Sequence, residues 1–534
     1  MKGRKTIQWF AGVAVVLLGF WMPADGQILN EGTFKIGRLF SLIDNYYVDT
    51  VNMNRITEKA IVELLRSLDP HSAYIPADEV AAMNEPLIGN FEGIGVQFNL
   101  LNDTILIISP VPGGPSEKAG IMPGDRIVTI NGENVAGKGI STTGVRDRLM
   151  GQKGTTVIVG IFRKSTREVK EYTITRDKIP VNSLDAAYML DRENGYVKLN
   201  RFSATTEKEF SDAVTNLRGQ GLRNIIIDLR GNSGGFMNPA VTIADALLPA
   251  GKLIVYLEGN KTPRQDFRST ANTLLAGARV VILTDEGSAS ASEILAGAMQ
   301  DWDRGVVIGR RTFGKGLVQN GYYLTDGSMV RLTIARYFTP TGRSIQSPYA
   351  DGYDKYMESF LSRYANGEMV TADSIHFPDS LRTTTLTTKR VVYGGGGIMP
   401  DLFIAADTSA YSDYYRDVIR NGVVTQFTLA YADNNRERLL KLYPVFDDFS
   451  RRFEFSSSDI EDFISRAAAL GVEYREEHFR ISKHELLKIM KGLVARDLWD
   501  MNEYYRIVNH DDPVLIRALE VISSQAAYNS LLGF

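Results

Sequence analysis

Three alternating serines and a lysine farther along the chain are the residues of this sequence that could form a covalent catalytic site. Residues 286–297 read EGSASASEILAG, with serines at positions 288, 290 and 292. A serine hydroxyl is a weak nucleophile at neutral pH unless a neighbouring base takes its proton. Of the five histidines, only His71 and His376 precede residue 470, and neither lies in a motif that supports a base. The base must therefore be sought among other residue types.

The middle serine, Ser290, has two interpretations. Ser290 and Glu293 fit the capping box S-x-x-E at the start of an apolar helical face, so Ser290 could simply cap a helix. The same position follows a buried strand, where free N–H groups and the positive end of a helix dipole favour a developing oxyanion. The alanines between the serines leave room for a substrate. The residues by themselves leave both interpretations open.

Lys315, in the segment TFGKGLVQ (312–319), is the best candidate for the base. A lysine accepts a proton only when it is neutral, and burial can lower its usual pKa of about 10.4 by up to ~3–5 units. Gly314 and Gly316 flank it and remove side-chain bulk. A strand over 317–319 would place Gln319 on the same face as Lys315. Gln319 is then predicted to hydrogen-bond the amine without adding charge.

The same lysine also ends the pattern G-x-x-x-x-G-K at residues 309–315. A phosphate-binding loop requires Ser or Thr next and then a helix. Here the next residue is Gly316, and the sequence that follows is typical of a strand. We therefore reject nucleotide binding at this position.

Composition excludes several other kinds of site. The chain of 534 residues is long enough for several domains. It contains no cysteine, which excludes disulfides, thiol catalysis and thiolate zinc sites, and its few scattered histidines argue against a histidine metal site. A net charge of −3 without a clustered basic surface does not favour nucleic acid as a partner. We expect no metal and no organic cofactor.

The N-terminus has the pattern of an export signal. Lys2, Arg4 and Lys5 precede an apolar run over residues 7–22, and small residues follow at positions 24 and 26. This order predicts a signal peptide over 1–26 and a protein of the periplasm or cell envelope. An uncleaved anchor is the alternative, although the run is short for a bilayer span of roughly 20 residues.

The remaining chain divides into four regions by pattern. Residues 27–90 are predicted to be helical, ending at Asp69-Pro70, with His71 interpreted as structural. Residues 91–178 alternate short strands with Gly/Pro turns. Residues 179–408 alternate strands and helices, which predicts a parallel α/β layer. Residues 409–534 are helical, with capped helices predicted to begin near Ser458 and Ser482.

The second region resembles a PDZ domain. The resemblance is carried by GIGV (93–96), by AGIMPGDRIVTINGENV (119–135) and by a later helix. In that family the glycine-rich loop offers backbone N–H groups to the C-terminal carboxylate of a peptide, which then adds as a strand to the sheet edge. The resemblance assigns this role to Gly93, Ile94, Gly95 and Val96. The alternative is that the glycines only form a tight turn.

Residues 286–319 resemble the signature of the C-terminal processing peptidases, or tail-specific proteases, which are serine peptidases with a Ser/Lys dyad. The resemblance assigns the nucleophile to Ser290, the base to Lys315 and the supporting glutamine to Gln319. DLRGNSGG (228–235) resembles the family's oxyanion loop, so the implied donors are the N–H groups of Gly234 and Ala291. Three further motifs fall in family order: DPHSAYI (69–75), YFTPTGRSIQ (337–346) and GIMPD (397–401).

The resemblance implies an α+β multidomain protein whose peptidase core has a crotonase-like layered sheet. It implies an exported serine endopeptidase that binds protein substrates with apolar C-terminal tails. It also implies a homo-oligomer and an adaptor or regulatory lipoprotein as partners. The alternatives are a catalytically silent PDZ scaffold and a structural protein of the envelope. The extension after residue 408 could be a dimerisation surface, a lid or a docking site, and the sequence does not choose among them.

Overall fold

The computed structural model describes residues 31–534 except positions 165 and 273, so the predicted signal peptide lies outside the described residues. The chain forms two compact units, which meet in sequence between Glu63 and Leu64. The first unit contains α1 (Glu31–Tyr46) and most of α2 (Met53–Arg66). Across the described ranges, no helix combines the length and apolar character that a membrane span requires.

An antiparallel sheet module occupies the beginning of the second unit. Its main sheet has the order β3-β4-β5-β7-β8, with β6 beside β5, and β2 pairs with β9 where the chain enters and leaves the module. Within the described part of the chain β3 pairs only with β4, so no described strand occupies its outer edge. The elements from residue 73 to residue 180 are β1 (Ala73–Ile75), α3 (Val80–Ile88), β2 (Asn90–Gly93), β3 (Val96–Leu100), β4 (Ile105–Pro110), α4 (Pro115–Lys118), β5 (Arg126–Ile130), β6 (Glu133–Asn134), α5 (Thr142–Leu149), β7 (Thr156–Arg163), β8 (Glu168–Thr175) and β9 (Asp177–Pro180).

The central region is built on two sheets. One has the order β10-β11-β12-β15-β16-β21 and is parallel from β11 onward. The other has the order β1-β18-β13-β14, with β17 also paired to β18. The elements are β10 (Leu184–Met189), β11 (Asn194–Leu199), α6 (Thr206–Gly219), β12 (Asn224–Asp228), α7 (Met237–Leu247), β13 (Leu253–Glu258), β14 (Gln265–Arg268), β15 (Val280–Thr284), α8 (Ala291–Asp301), β16 (Val306–Gly309), β17 (Leu317–Tyr323), β18 (Met329–Phe338), α9 (Tyr353–Ala365), two short 3₁₀ turns (Ala372–Ser374 and Asp379–Leu381), β19 (Arg382–Thr384), β20 (Val391–Tyr393) and β21 (Leu402–Phe403).

One strand of the second sheet comes from the segment that the sequence assigned to the N-terminal helical region. Residues 73–75 pair with β18, Tyr74 opposite Val330. The pairing carries the preceding turn at Asp69–Ser72 against the same sheet, where Thr333 donates its N–H to Ser72 Oγ at 3.0 Å. A three-residue strand is too short to be recognised from periodicity, because its pairing partner lies far away in sequence.

The helical extension comprises α10 (Asp413–Arg420), α11 (Val423–Leu442), α12 (Phe446–Arg452), α13 (Ser457–Ala469), α14 (Glu476–Leu498), α15 (Met501–Val508), α16 (Pro513–Ser523) and α17 (Gln525–Leu532). Its last two helices cover one face of the parallel sheet. Ile226 and Val281 face these helices, whereas Ile225 and Ile227 face the core that contains α6, α7 and α8. The strands are apolar on both faces, so both faces need a cover.

Of the two predicted helix starts in the extension, the one near Ser458 is confirmed with a different cap residue, and the one near Ser482 is wrong. The N-cap of α13 is Ser456, whose hydroxyl accepts the Asp459 N–H, rather than Ser458. Ser482 lies buried inside α14, which begins six residues earlier. Its hydroxyl is 2.7 Å from Ser412 Oγ and donates to the Ala410 carbonyl, so tertiary contacts explain this serine better than capping.

Candidate active site

Ser290 lies in the sharp turn between buried strand β15 and buried helix α8. Its backbone has φ 55° and ψ −112°, a conformation that is uncommon for a residue with a side chain and costs of order 1–3 kcal/mol. Half of the predicted capping box is present: the Ser290 N–H donates to Glu293 Oε2 at 2.7 Å, whereas the Glu293 N–H donates to the Ser290 carbonyl at 2.9 Å. Ser290 Oγ itself makes no cap hydrogen bond. In this strained turn the Ser290 hydroxyl therefore makes no hydrogen bond to helix α8.

Glu293 connects the serine to the lysine-bearing loop. Its carboxylate is fully buried, and besides Ser290 it accepts the N–H groups of Gly314 at 2.7 Å and Lys315 at 2.9 Å. Thr312 Oγ1 donates to it at 2.6 Å. Burial raises the pKa of Glu293 to about 7, although these hydrogen bonds favour the ionised form. One buried carboxylate thus fixes the backbone of Ser290 relative to that of Lys315.

Tyr337 forms a second connection between the same two residues. Its buried hydroxyl lies 2.6 Å from the Lys315 carbonyl oxygen and 3.0 Å from the Ser290 carbonyl oxygen. The motif YFTPTGRSIQ begins with this tyrosine, but nothing in the local sequence indicates which backbone groups it contacts. The sequence analysis did not predict that Glu293 and Tyr337 contact the loop that carries Lys315.

The Lys315 side chain lies in an environment that favours its neutral form. Burial lowers its pKa, and Arg331 acts in the same direction, while Glu293 and Asp69 oppose the shift. Neither Lys315 Nζ nor Ser290 Oγ is hydrogen-bonded to any residue in the described part of the chain, so the hydrogen bond of a dyad is not formed in this structure. Catalytic hydrogen bonds are often long without substrate and shorten when it binds.

The hydrogen bond predicted between Gln319 and the lysine amine is not formed among the described residues of this structure. Gln319 Nε2 donates to Thr333 Oγ1 at 3.2 Å, and Thr333 Oγ1 donates to Asp69 Oδ1 at 3.0 Å. Asp69 also accepts the N–H groups of His71 and Ser72, both at 2.8 Å. Gln319 therefore belongs to a hydrogen-bonded chain that ends at the turn of the DPHS motif.

His71 lies near enough to Lys315 for the charge of the lysine to affect its pKa, which the sequence context did not indicate. Burial and, to a lesser degree, the charge of Lys315 lower its pKa to about 4, against the opposing charge of Asp69. Its Nε2 is 3.1 Å from Tyr356 Oη. The imidazole is therefore neutral at neutral pH and adds no positive charge beside the lysine. Within the described ranges, no group of three or more His, Asp or Glu side chains is arranged to hold a metal ion.

The glycine-rich loop at 229–235 lies directly against the serine. A Cβ placed on Gly234, whose φ is +100°, would lie 2.8 Å from Ser290 Cβ and 3.1 Å from the Ala291 nitrogen. The Ala291 N–H has no partner among the residues of the described chain. The Gly234 N–H donates to Asn232 Oδ1 at 2.9 Å, whereas the next N–H, that of Gly235, is likewise without a described partner. Of the two predicted oxyanion donors, the Ala291 N–H is therefore free in this conformation, whereas the Gly234 N–H is occupied by Asn232.

The two outer serines hold this loop in place. Ser288 Oγ donates to the Leu229 carbonyl, and Ser292 Oγ donates to the Asn232 carbonyl, both at 2.8 Å. Both serines are fully buried. The hydroxyls of Ser288 and Ser292 thus hold the loop, whereas the Ser290 hydroxyl makes no cap hydrogen bond.

Three segments of the chain match known families. Residues 193–351 match peptidase family S41, residues 106–163 match the PDZ domain, and residues 414–500 match a family of unknown function, DUF8443. The carboxy-terminal processing protease CtpA of Bacillus subtilis (strain 168) is 33% identical over 343 residues, which are 64% of this chain and 72% of that protein. The chain belongs to the family of carboxy-terminal processing proteases. This confirms the resemblance seen in the sequence and, with the observed fold, the predicted α+β multidomain class.

Two further proteins are similar to parts of this chain. A probable CtpA-like serine protease of Staphylococcus aureus (strain MRSA252) is 36% identical over 315 residues, which are 58% of this chain. The chain spans 62% of the length of that relative. Among solved structures, the photosystem II D1 C-terminal processing protease is 29% identical, with a TM-score of 0.34, over 59% of this chain and 91% of that one.

The PDZ domain of this chain has the glycine-rich loop directly before strand β3. The N–H groups of Ile94 and Gly95 have no partner among the described residues, and β3 begins at Val96. Gly95 has φ +72°, which is strained for a residue with a side chain, and a Cβ there would lie 2.8 Å from Ile179 Cδ1, so Ile179 would have to move. Free N–H groups followed by an unpaired strand edge are the features with which a peptide C-terminus can pair.

Proposed function

We propose that this chain is an exported serine endopeptidase that captures the C-terminal tails of protein substrates with its PDZ domain and cleaves them with Ser290 and Lys315. The observation that carries the proposal is the convergence of both residues on the buried Glu293 carboxylate. Glu293 thereby holds the backbones of the two residues together. The Ser290 hydroxyl, on a strained turn, makes no cap hydrogen bond, and burial lowers the pKa of Lys315. A purely structural lysine would gain nothing from burial that disfavours its charge.

The proposed reaction follows from these positions. Neutral Lys315 accepts the proton of Ser290 as Oγ attacks the scissile carbonyl carbon. The negative charge on the carbonyl oxygen is stabilised by the Ala291 N–H and by an N–H of the loop at Gly234 and Gly235. The lysine ammonium then donates its proton to the leaving amine, and water hydrolyses the acyl-enzyme in a second cycle of the same transfers.

Gly234→Ala tests the contact between the glycine-rich loop and the serine. The new Cβ would overlap Ser290 Cβ and approach the Ala291 nitrogen, so we expect kcat to fall by about 10²–10³-fold, the effect of losing an oxyanion donor. Gly231→Ala is the matched control, because Gly231 also has a positive φ, of +67°, but its Cβ would meet nothing within 4 Å. Equal kcat values for the two variants, measured on one tailed substrate, would contradict this arrangement.

Recognition of a free C-terminus is tested with one peptide in two forms. We expect a peptide ending in apolar residues to be cleaved, and its C-terminally amidated form to have a KM higher by about ten- to a hundredfold. The reason is that the amide lacks the charge that the N–H groups of Ile94 and Gly95 would bind, and such charge-assisted hydrogen bonds contribute about 1.5–3 kcal/mol. Intact-mass spectrometry measures both rates. Identical KM values would show that the loop does not read the carboxylate.

Export and partners belong to the same proposal. The basic residues, apolar run and small residues of positions 2–26 support export to the periplasm or cell envelope. Protein substrates with apolar tails, an adaptor or regulatory lipoprotein and assembly into a homo-oligomer are the partners that the family resemblance implies. Processing of the N-terminal segment is measurable by the mass of the protein recovered from the expressing cell.

A further inference from the structure

The end of the helical extension reaches the base of the glycine-rich loop. Asp512 is the N-cap of α16, and its Oδ1 accepts the N–H groups of Val514 at 2.9 Å and Leu515 at 3.3 Å. Its other oxygen, Oδ2, lies 2.6 Å from Nη1 of Arg230, and its side chain is 15% exposed. Arg230 belongs to DLRGNSGG, so an extension residue 282 positions away contacts the catalytic loop directly.

Arg230 is held between two carboxylates. On the side opposite to Asp512, its Nη2 donates to Asp228 Oδ2 at 2.6 Å and its Nε to Asp228 Oδ1 at 3.1 Å. Burial favours the neutral form of Asp228, but the charges of Arg230 and Lys198 outweigh it and hold its pKa well below the usual range. Tyr196 Oη also donates to Asp228, and Lys198 Nζ donates to the Arg230 carbonyl. The guanidinium and its backbone are thus both fixed by buried groups.

Arg230 lies where the chain leaves β12 and enters the glycine-rich turn. Its own N–H donates to Asp228 Oδ1 at 2.9 Å, and the next residue, Gly231, donates its N–H to Asp285 Oδ1 at 2.8 Å. The serines at 288 and 292 hold the loop from the side of the nucleophile. Arg230 follows Leu229 at the start of the loop, and only three residues separate it from Gly234, so the guanidinium is linked to the N–H groups of 234 and 235 through a short backbone segment.

We propose that Asp512 is a positioning residue for the peptidase reaction, which through Arg230 sets the backbone of the oxyanion loop. The inference rests on the proposed function, since it concerns the efficiency of the same site. It makes the last helices of the extension part of the catalytic unit, in addition to their cover of the sheet. Their removal would affect the rate of bond cleavage rather than the capture of a tail by the PDZ domain.

Asp512→Asn separates this role from helix capping. Asn caps helices about as well as Asp, so α16 keeps its N-cap, but the charge facing Arg230 is lost. We expect kcat to fall between about threefold and thirtyfold, the range for residues coupled to a site through a network, with KM unchanged. The rate at which Ser290 reacts with a fluorophosphonate probe is expected to fall by the same factor. Asp512→Glu, which restores the charge, is expected to recover part of kcat.

Asp511→Asn in the full-length protein is the matched control, because Asp511 contacts His484 and Lys488 rather than the loop. The inference is overturned if Asp512→Asn and wild type have equal kcat. It is also overturned if kcat falls only in proportion to the melting temperature across Asp512→Asn and Asp512→Ala, which would show a purely structural role. A wild-type protein that neither cleaves a tailed peptide nor reacts with the probe would instead contradict the proposed function itself.

Discussion

Ser290→Ala is expected to lower kcat for tail cleavage by about 10⁴-fold or more, the range seen when a serine peptidase loses its nucleophile. No neighbouring serine can replace it, because the hydroxyls of Ser288 and Ser292 donate to the carbonyls of Leu229 and Asn232. The variant keeps the PDZ domain intact, so it is expected to bind an apolar tail with unchanged affinity. Mass spectrometry of a tailed substrate measures the first effect, and calorimetric titration measures the second.

Ser292→Ala provides the comparison for Ser290→Ala. It removes a hydroxyl of the same motif, while the Asn232 carbonyl keeps the Ala289 N–H as a donor, so we expect a loss of about 0.5–1.5 kcal/mol in the free energy of unfolding and a much smaller effect on kcat. If the Ser290→Ala protein cleaved at the parent rate, the nucleophile would lie elsewhere. If both the parent and the variant bound the tail without cleaving it, the silent-scaffold alternative would be correct.

Lys315→Ala is expected to lower kcat by about 10²–10⁴-fold, the usual contribution of a general base. In the parent protein only the neutral amine is active, so kcat/KM should rise with pH until Lys315 is deprotonated. Burial lowers its pKa, so this rise should be complete below the pH range of an ordinary lysine. Lys315→Arg should be as inactive as Lys315→Ala, because a guanidinium stays protonated. Full activity in Lys315→Arg would show that the lysine acts only through its charge.

The same pKa shift predicts an effect on stability. Between the lowered pKa of folded Lys315 and the usual value of 10.5, the unfolded chain binds more protons, so the contribution of this lysine to the free energy of unfolding rises with pH. This contribution is complete above the pKa that Lys315 has in the unfolded chain. It is lost as the pH falls through the pKa that Lys315 has in the folded protein. Lys315→Met should therefore melt above the parent protein at neutral pH, and the difference should shrink towards pH 10. A difference independent of pH would show that Lys315 is not desolvated.

The sequence by itself determined the fold class and the family, and it named the candidate catalytic residues. Each of these signals is local. Runs such as NIIID and VVILT are recognisable as buried strands from their composition, and the three serines, the G-K-G turn and the GIGV loop are short motifs in a fixed order. The capping box at Ser290 could also be read directly, because its partners are three residues apart.

Only the tertiary structure decided how these residues are held. Glu293 contacts Lys315 across 22 positions, Asp69 contacts Thr333 across 264, and Asp512 contacts Arg230 across 282. Such contacts depend on which strands become neighbours in the sheets. The periodicity of one segment does not indicate which distant segment will pack against it. The role of the extension was undecided for the same reason. The central strands are apolar on both faces, so each face must be covered by other elements. That the last two helices of the extension cover one of these faces follows only from the folded chain.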